Sequence, residues 1–178
     1  SVSVCGSVQY VDGDNELTVG TQGELLYVNS AREERLTDGL QPGSRAEFTR
    51  VVEEARSLTS RIWSEAGALG SLSLDWADYD PAKQAYTIGF ELQWGGVYVD
   101  LPSRPAYVVV EQGYLAMVSV KPCVASVLED QVIALPYRQY AAAAGGNGRL
   151  TLAYTLGPGG GMAGEGHYLP VVSLMREG

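Results

Sequence analysis

Two stretches decide the fold: Ser44-Arg45-Ala46-Glu47-Phe48, which opens a helix, and Tyr86-Thr87-Ile88-Gly89-Phe90-Glu91-Leu92-Gln93-Trp94, which reads as a strand. Ser44 and Glu47 stand at capping-box spacing, where a hydroxyl and a carboxylate can each satisfy an orphan amide of a helix start. Phe48, Val51, Val52, Ala55, Leu58, Ile62 and Ala66 then recur every three or four residues, which is one apolar stripe along a helix over 44–66. In the second stretch Tyr86, Ile88, Phe90, Leu92 and Trp94 fall on one face, and Thr87, Gly89, Glu91 and Gln93 on the other. A helix with one apolar stripe and a sheet with one apolar face each need a partner layer, and they suit one another. The expected fold is therefore α+β: an antiparallel, β-rich sheet or sandwich packed against one long amphipathic helix. A jelly-roll-like module with the helix inserted is the architectural alternative.

Working outward, residues 2–11 and 17–29 read as strands joined by Asp12-Gly13-Asp14-Asn15, whose glycine and Asx residues tolerate the left-handed conformations of tight turns. Residues 31–41 form a charged linker that ends around Gly39 and Pro42. Gly67 or Gly70 is expected to end the helix. A meander follows: alternation at Leu72, Leu74 and Trp76, a turn at Asp80-Pro81, the 84–94 strand, a bend or bulge at Gly95-Gly96, and a short strand over Val97, Val99 and Leu101. Residues 106–111 and 114–120 flank Gln112-Gly113, the spacing of a two-residue hairpin. Residues 124–144 fit helix or strand equally. Further strands are expected at 150–154 and 168–174, separated by the glycine-rich segment 157–165.

The length of 178 residues with 46% hydrophobic content fits one globular domain, 1–178, with a core that needs no staples. No apolar run reaches the roughly 18 residues of a membrane-crossing helix, and no signal-peptide pattern is visible. Ser1 is compatible with a virion or cytosolic protein and equally with an extracytoplasmic one. Twelve basic against twenty-one acidic residues give a net charge of −9, which argues against binding a phosphate backbone, where clustered Lys and Arg are needed. An acidic balance favours solubility or a basic protein partner. Cys5 and Cys123 are either two buried thiols or a disulfide closing a very long loop, with the oxidising compartment that implies.

The chemistry-bearing residues form no catalytic set. His167 is the single histidine, so metal sites built on several His ligands are excluded and no cofactor or metal is expected. Asp75, Asp78 and Asp80 resemble neither a calcium loop nor a positioned acid/base pair, and Asp12, Asp14 and Glu16 surround a turn for backbone reasons. The 157–165 segment lacks the Gly-Lys-Ser/Thr of a phosphate loop. Eleven tyrosines and three tryptophans against two phenylalanines are the remaining lead. Such rings pair an apolar body with a polar edge, which suits interfaces, and Tyr79, Tyr98, Tyr107 and Tyr114 lie in or beside the meander.

The first expectation is thus a non-catalytic assembly or protein-binding subunit, a homo-oligomer such as a virion or surface-filament protein, whose 2–11 strand adds to a neighbour's sheet edge. An acidic inhibitor-type protein with a basic partner is a variant of it. The second is a carboxylate-dependent hydrolase using two of Asp75, Asp78, Asp80, Glu91 and Asp100, which requires two carboxylates about 5 to 9 Å apart in one cleft. The third is an extracytoplasmic carbohydrate- or ligand-binding domain with an exposed planar aromatic strip.

Overall fold

A computed structural model describes residues 2–4, 7–21, 23–32, 35–123, 149–156 and 168–175. They form β1 (Val2–Val4), β2 (Ser7–Asp12), β3 (Asn15–Val19), β4 (Leu25–Asn29), α1 (Arg45–Glu65), β5 (Ser71–Asp80), β6 (Ala85–Trp94), β7 (Val97–Val99), β8 (Ala106–Glu111), β9 (Tyr114–Val120), β10 (Arg149–Leu156) and β11 (Tyr168–Met175). The chain divides into two compact units, Ser1–Glu91 with Ser103–Ala125, and Leu92–Pro102 with Ser126–Gly178.

The first unit is the expected α+β arrangement. Its strands lie in the order β1-β2-β3-β4-β9-β8-β6, β5 adds by pairing with β6, and α1 packs on this antiparallel sheet. Turn chemistry sets the register. Asp12 pairs with Asn15 across Gly13, which sits at φ 59°, and Glu111 pairs with Tyr114 across Gln112 and Gly113 at φ 53° and 82°. The two consecutive left-handed residues at Gln112-Gly113 are the signature of the tight turn whose twist matches the flanking strands. The strand read over 2–11 is instead two, because β1 folds back antiparallel on β2 with Val2 opposite Gln9 and Val4 opposite Ser7.

The helix begins and ends as its sequence indicates. Ser44 is extended (φ −74°, ψ 155°) and its hydroxyl accepts the Glu47 amide. At the other end Gly67 is left-handed (φ 66°). The Gly67 amide donates to the Ser64 carbonyl at 3.0 Å and the Ala68 amide to the Trp63 carbonyl at 3.2 Å, the paired bonds of a Schellman cap.

The buried stripe is rotated from the apolar periodicity. Glu47, Val51, Ala55, Thr59 and Trp63, spaced by four, are buried, whereas Phe48 is 39% exposed and Val52, Leu58 and Ile62 are only half-buried. The polar members tolerate burial because each is hydrogen-bonded. The Thr59 hydroxyl donates to the Ala55 carbonyl at 2.8 Å and the Trp63 indole N–H to the Leu69 carbonyl at 3.2 Å. Beneath the helix, Ile88, Phe90, Val108, Val110, Val118 and Val120 are almost completely buried. They come from three neighbouring strands whose inward residues alternate along each chain.

In the second unit, Leu92–Trp94 of β6 pairs antiparallel with β7, Leu92 opposite Val99 and Trp94 opposite Val97. Gly95 and Gly96, at φ 59° and 79°, make this a two-residue hairpin. β7 runs parallel to β10 through Tyr98 opposite Ala153, and β10 pairs antiparallel with β11 from Arg149 opposite Met175 to Leu156 opposite Tyr168. Among the described residues no helix is long and apolar enough to cross a membrane.

Candidate functional site

Cross-strand register turns the inner face of the first sheet into two continuous rungs. One runs Val8–Val19–Leu25–Val120–Ala106–Phe90 and the other Tyr10–Leu17–Tyr27–Val118–Val108–Ile88, across β2, β3, β4, β9, β8 and β6. Every position in both rungs is apolar or aromatic, yet their burial differs from end to end. Ile88, Phe90, Val108, Val118 and Val120 have at most 1% of their surface exposed, whereas Val8 is 36% and Tyr10 52% exposed. The helix explains the gradient, since it meets β5, β8 and β9. At the β2 end, the same apolar face continues into solvent among the described residues.

The opposite face of that end is also apolar in part. Val11 is 66% and Leu26 36% exposed, and by alternation both point away from Tyr10 and Leu25. Acids surround this end: Asp12 and Asp14 stand exposed at the β2–β3 turn, Glu16 lies opposite Val11 and Val28, and Glu24 precedes β4. The first lysine or arginine of the chain is Arg32. Four hairpin strands therefore carry only negative side-chain charge.

The other distinctive feature is a buried carboxylate. Glu47, 4% exposed, accepts hydrogen bonds from the Gly43 amide at 2.8 Å, the Thr37 hydroxyl at 3.2 Å and the Tyr86 hydroxyl at 2.9 Å. Thr37 is brought there by the Leu36 amide donating to the Gly113 carbonyl at 2.8 Å. The Tyr86 ring lies 4.5 Å from Tyr79 and 6.1 Å from Phe48. Burial, the hydrogen bond to Glu47 and its negative charge push the Tyr86 phenol well above its ordinary range. Three donors, a helix start and a ring stack make Glu47 a joint between linker, helix and sheet. It is engaged with protein groups, not turned toward a cleft.

The four tyrosines singled out in sequence do not form one strip. Tyr79 stacks on Tyr86 beneath the helix start. Tyr107 places its hydroxyl 3.5 Å from the Met117 sulfur on the face away from Tyr86, by alternation through Val108 and Val110. Tyr114 lies at the β8–β9 turn under the Arg35 guanidinium, 5.6 Å from the ring centroid, and Tyr98 belongs to the second unit.

Two of the five candidate carboxylates are engaged with their own neighbours. Asp75 pairs with Arg104 at 2.8 Å, and that guanidinium also covers the Trp76 ring at 4.8 Å. Asp80 caps its own turn, accepting the Ala82 and Lys83 amides at 2.9 and 3.3 Å. Five strand residues separate Asp75 from Asp80, roughly 16 Å, twice the separation that glycoside hydrolysis uses. Asp78 is exposed. Among the described residues no three His, Cys, Asp or Glu side chains cluster to hold a metal. The depression lined by Phe48, Thr49, Val52, Glu53 and Arg56 is about 230 Å³, below the roughly 300–1,000 Å³ of small-molecule pockets.

Cys123 is a free thiol, and its half-burial pushes it above the ordinary value; Cys5, with which it would form either two thiols or a disulfide, lies outside the described residues, as do His167, residues 124–144 and the glycine-rich 157–165 segment. Sequence reading passed over Val8, Tyr10, Val11 and Leu26 as a surface. The absence of any basic residue before Arg32 was the available signal. No protein-family model, curated protein or solved structure matches this chain.

Proposed function

We propose that this chain is a non-catalytic protein-binding or assembly subunit that works through the β2–β4 end of its first sheet. The observation that carries this reading is the pair of apolar rungs that run from a dry core at Ile88 and Phe90 to exposed Tyr10 and Val8 without changing chemistry. A sheet face meant for water alternates to polar side chains, as antiparallel sheets do where one side is solvated. Contiguous exposed apolar surface on a folded protein marks an interaction site. Tyr10 supplies what interfaces favour, a large ring with a polar edge and few rotatable bonds to immobilise.

The test is Nile red fluorescence on the intact chain and on a Val8→Ser/Tyr10→Ser variant, alongside solution mass by light scattering. The chain should bind the dye, and the variant should lose most of that binding while keeping its circular dichroism. A mass above one chain that falls to one in the variant identifies self-assembly; a single-chain mass with dye binding identifies a heterologous binder. Absence of dye binding by a single chain would mean the face is already covered, and would overturn the proposal.

A further inference from the structure

Resting on that reading, we infer that the occupant of the β2–β4 surface is a different protein, one presenting apolar anchors flanked by Lys and Arg. The argument is charge. Asp12, Asp14, Glu16 and Glu24 are the charged side chains of residues 1–31; Asp12 and Asp14 stand at the turn that ends the Tyr10 face, and Glu16 shares the opposite face with Val11 and Leu26. Asp12 and Asp14 are exposed on the turn next to Tyr10 and Val11, and Glu16 stands directly across from Val11 in the ladder. Arg32, the nearest basic residue in sequence, is engaged elsewhere: its guanidinium lies 3.1 Å from Glu111 and 2.8 Å from the Gln112 side-chain oxygen.

A second copy bringing the same turn would set Asp12 and Asp14 against their own equivalents. Juxtaposed like charges disfavour association and act as a filter against wrong partners. Anionic lipid and nucleic acid are repelled on the same ground. A surface with an apolar centre and a basic rim gains on both counts: it buries Tyr10 and Val8, and its cations meet carboxylates otherwise held together by the fold. The rim contributes mainly encounter rate and selectivity, the centre residence time.

The experiment uses three fluorescein-labelled peptides of about 20 residues: an amphipathic helix with a leucine stripe flanked by lysines, the same stripe flanked by glutamates, and a lysine-rich peptide lacking the stripe. Anisotropy is read at about 50 mM and about 500 mM salt, which spans weak to strong screening. The lysine-flanked stripe should bind at least about tenfold more tightly than either control and weaken with salt. Val8→Ser/Tyr10→Ser and Asp12→Asn/Asp14→Asn/Glu16→Gln should each cost about tenfold, whereas Glu53→Gln/Glu65→Gln/Asp78→Asn, which removes the same charge elsewhere, should change affinity less than about twofold.

Equal binding of both striped peptides, an equal loss in the distant triple variant, or self-association through Val8 and Tyr10 would each overturn the basic-partner inference. So would binding of neither striped peptide by a chain that takes up Nile red, a result that leaves the interface reading standing. Failure of both peptides and dye would remove the two together.

Discussion

Glu47→Ala is the perturbation whose magnitude the structure sets most directly. The carboxylate accepts from three groups, and two of its donors, the hydroxyls of Thr37 and Tyr86, belong to residues only 1% and 3% exposed. Truncation leaves the buried Thr37 hydroxyl without its carboxylate and the Tyr86 hydroxyl with only the Gly43 amide beside it, at about 1–3 kcal/mol each. The Gly43 amide belongs to an exposed residue and finds solvent. Loss of the negative charge at the helix start adds about 0.3–1 kcal/mol, and relief of the carboxylate's own desolvation offsets part of the sum. The expected net cost is about 3–5 kcal/mol.

Tyr86→Phe keeps the ring against Tyr79 and removes one charge-assisted bond, so it should cost about 1.5–2 kcal/mol. Once Glu47 is gone, however, the buried Tyr86 hydroxyl has lost its acceptor, and its removal costs far less. Urea unfolding of the wild type, both single variants and the double variant closes the cycle, provided the denaturant slope is unchanged. Coupling of about 2 kcal/mol is expected. Additivity within about 0.5 kcal/mol would refute the claim that these two side chains share a buried hydrogen bond.

Four further outcomes follow from the same geometry. Tyr86 has its phenol raised in the folded state by burial and by Glu47, so its contribution to stability is fully present below the unfolded tyrosine value of about 10 and is lost as pH rises above it. Urea midpoints should fall between about pH 9 and pH 11, with up to 1.4 kcal/mol per pH unit of that fall absent in Tyr86→Phe; equal slopes would contradict it. Ile88→Ala should cost about 2–5 kcal/mol, while Val8→Ala, on the same sheet face at its exposed end, should stay within about 0.5 kcal/mol. A Cβ at Gly89 would run into the Trp76 indole and the Arg104 guanidinium, so Gly89→Ala should lose about 1–3 kcal/mol and an unchanged urea midpoint would count against that packing. In a Cys5→Ser background, Cys123 should react with a thiol reagent at pH 8 more slowly than in urea, because burial disfavours its thiolate.

Local rules were legible where they involve residues close in the chain. Ser44, Glu47 and Gly67 mark the helix ends because cap geometry is satisfied within one turn. Gln112-Gly113 marks a hairpin because two left-handed residues define its turn. The same locality misled the reading of the helix face. Apolar periodicity favoured Phe48 and Ile62, but Glu47 and Trp63 are buried because groups outside the helix complete their hydrogen bonds, and Thr59 because its hydroxyl bonds back to Ala55. The tyrosines show the same limit: Tyr79 and Tyr107 belong to one meander, yet one stacks on Tyr86 and the other reaches Met117.

The sequence by itself determined the α+β class, the helix boundaries, the alternation of the 84–94 strand and the one-signed charge of the first 31 residues. These follow from backbone chemistry and composition, which need no knowledge of neighbours. Tertiary structure decided that Val8 and Tyr10 share rungs with Phe90 and Ile88, and that the helix covers only the far end of them. Burial is a property of what lies opposite. A strand's own residues specify which of its faces is apolar, while strand order and the helix's position specify how much of that face meets water.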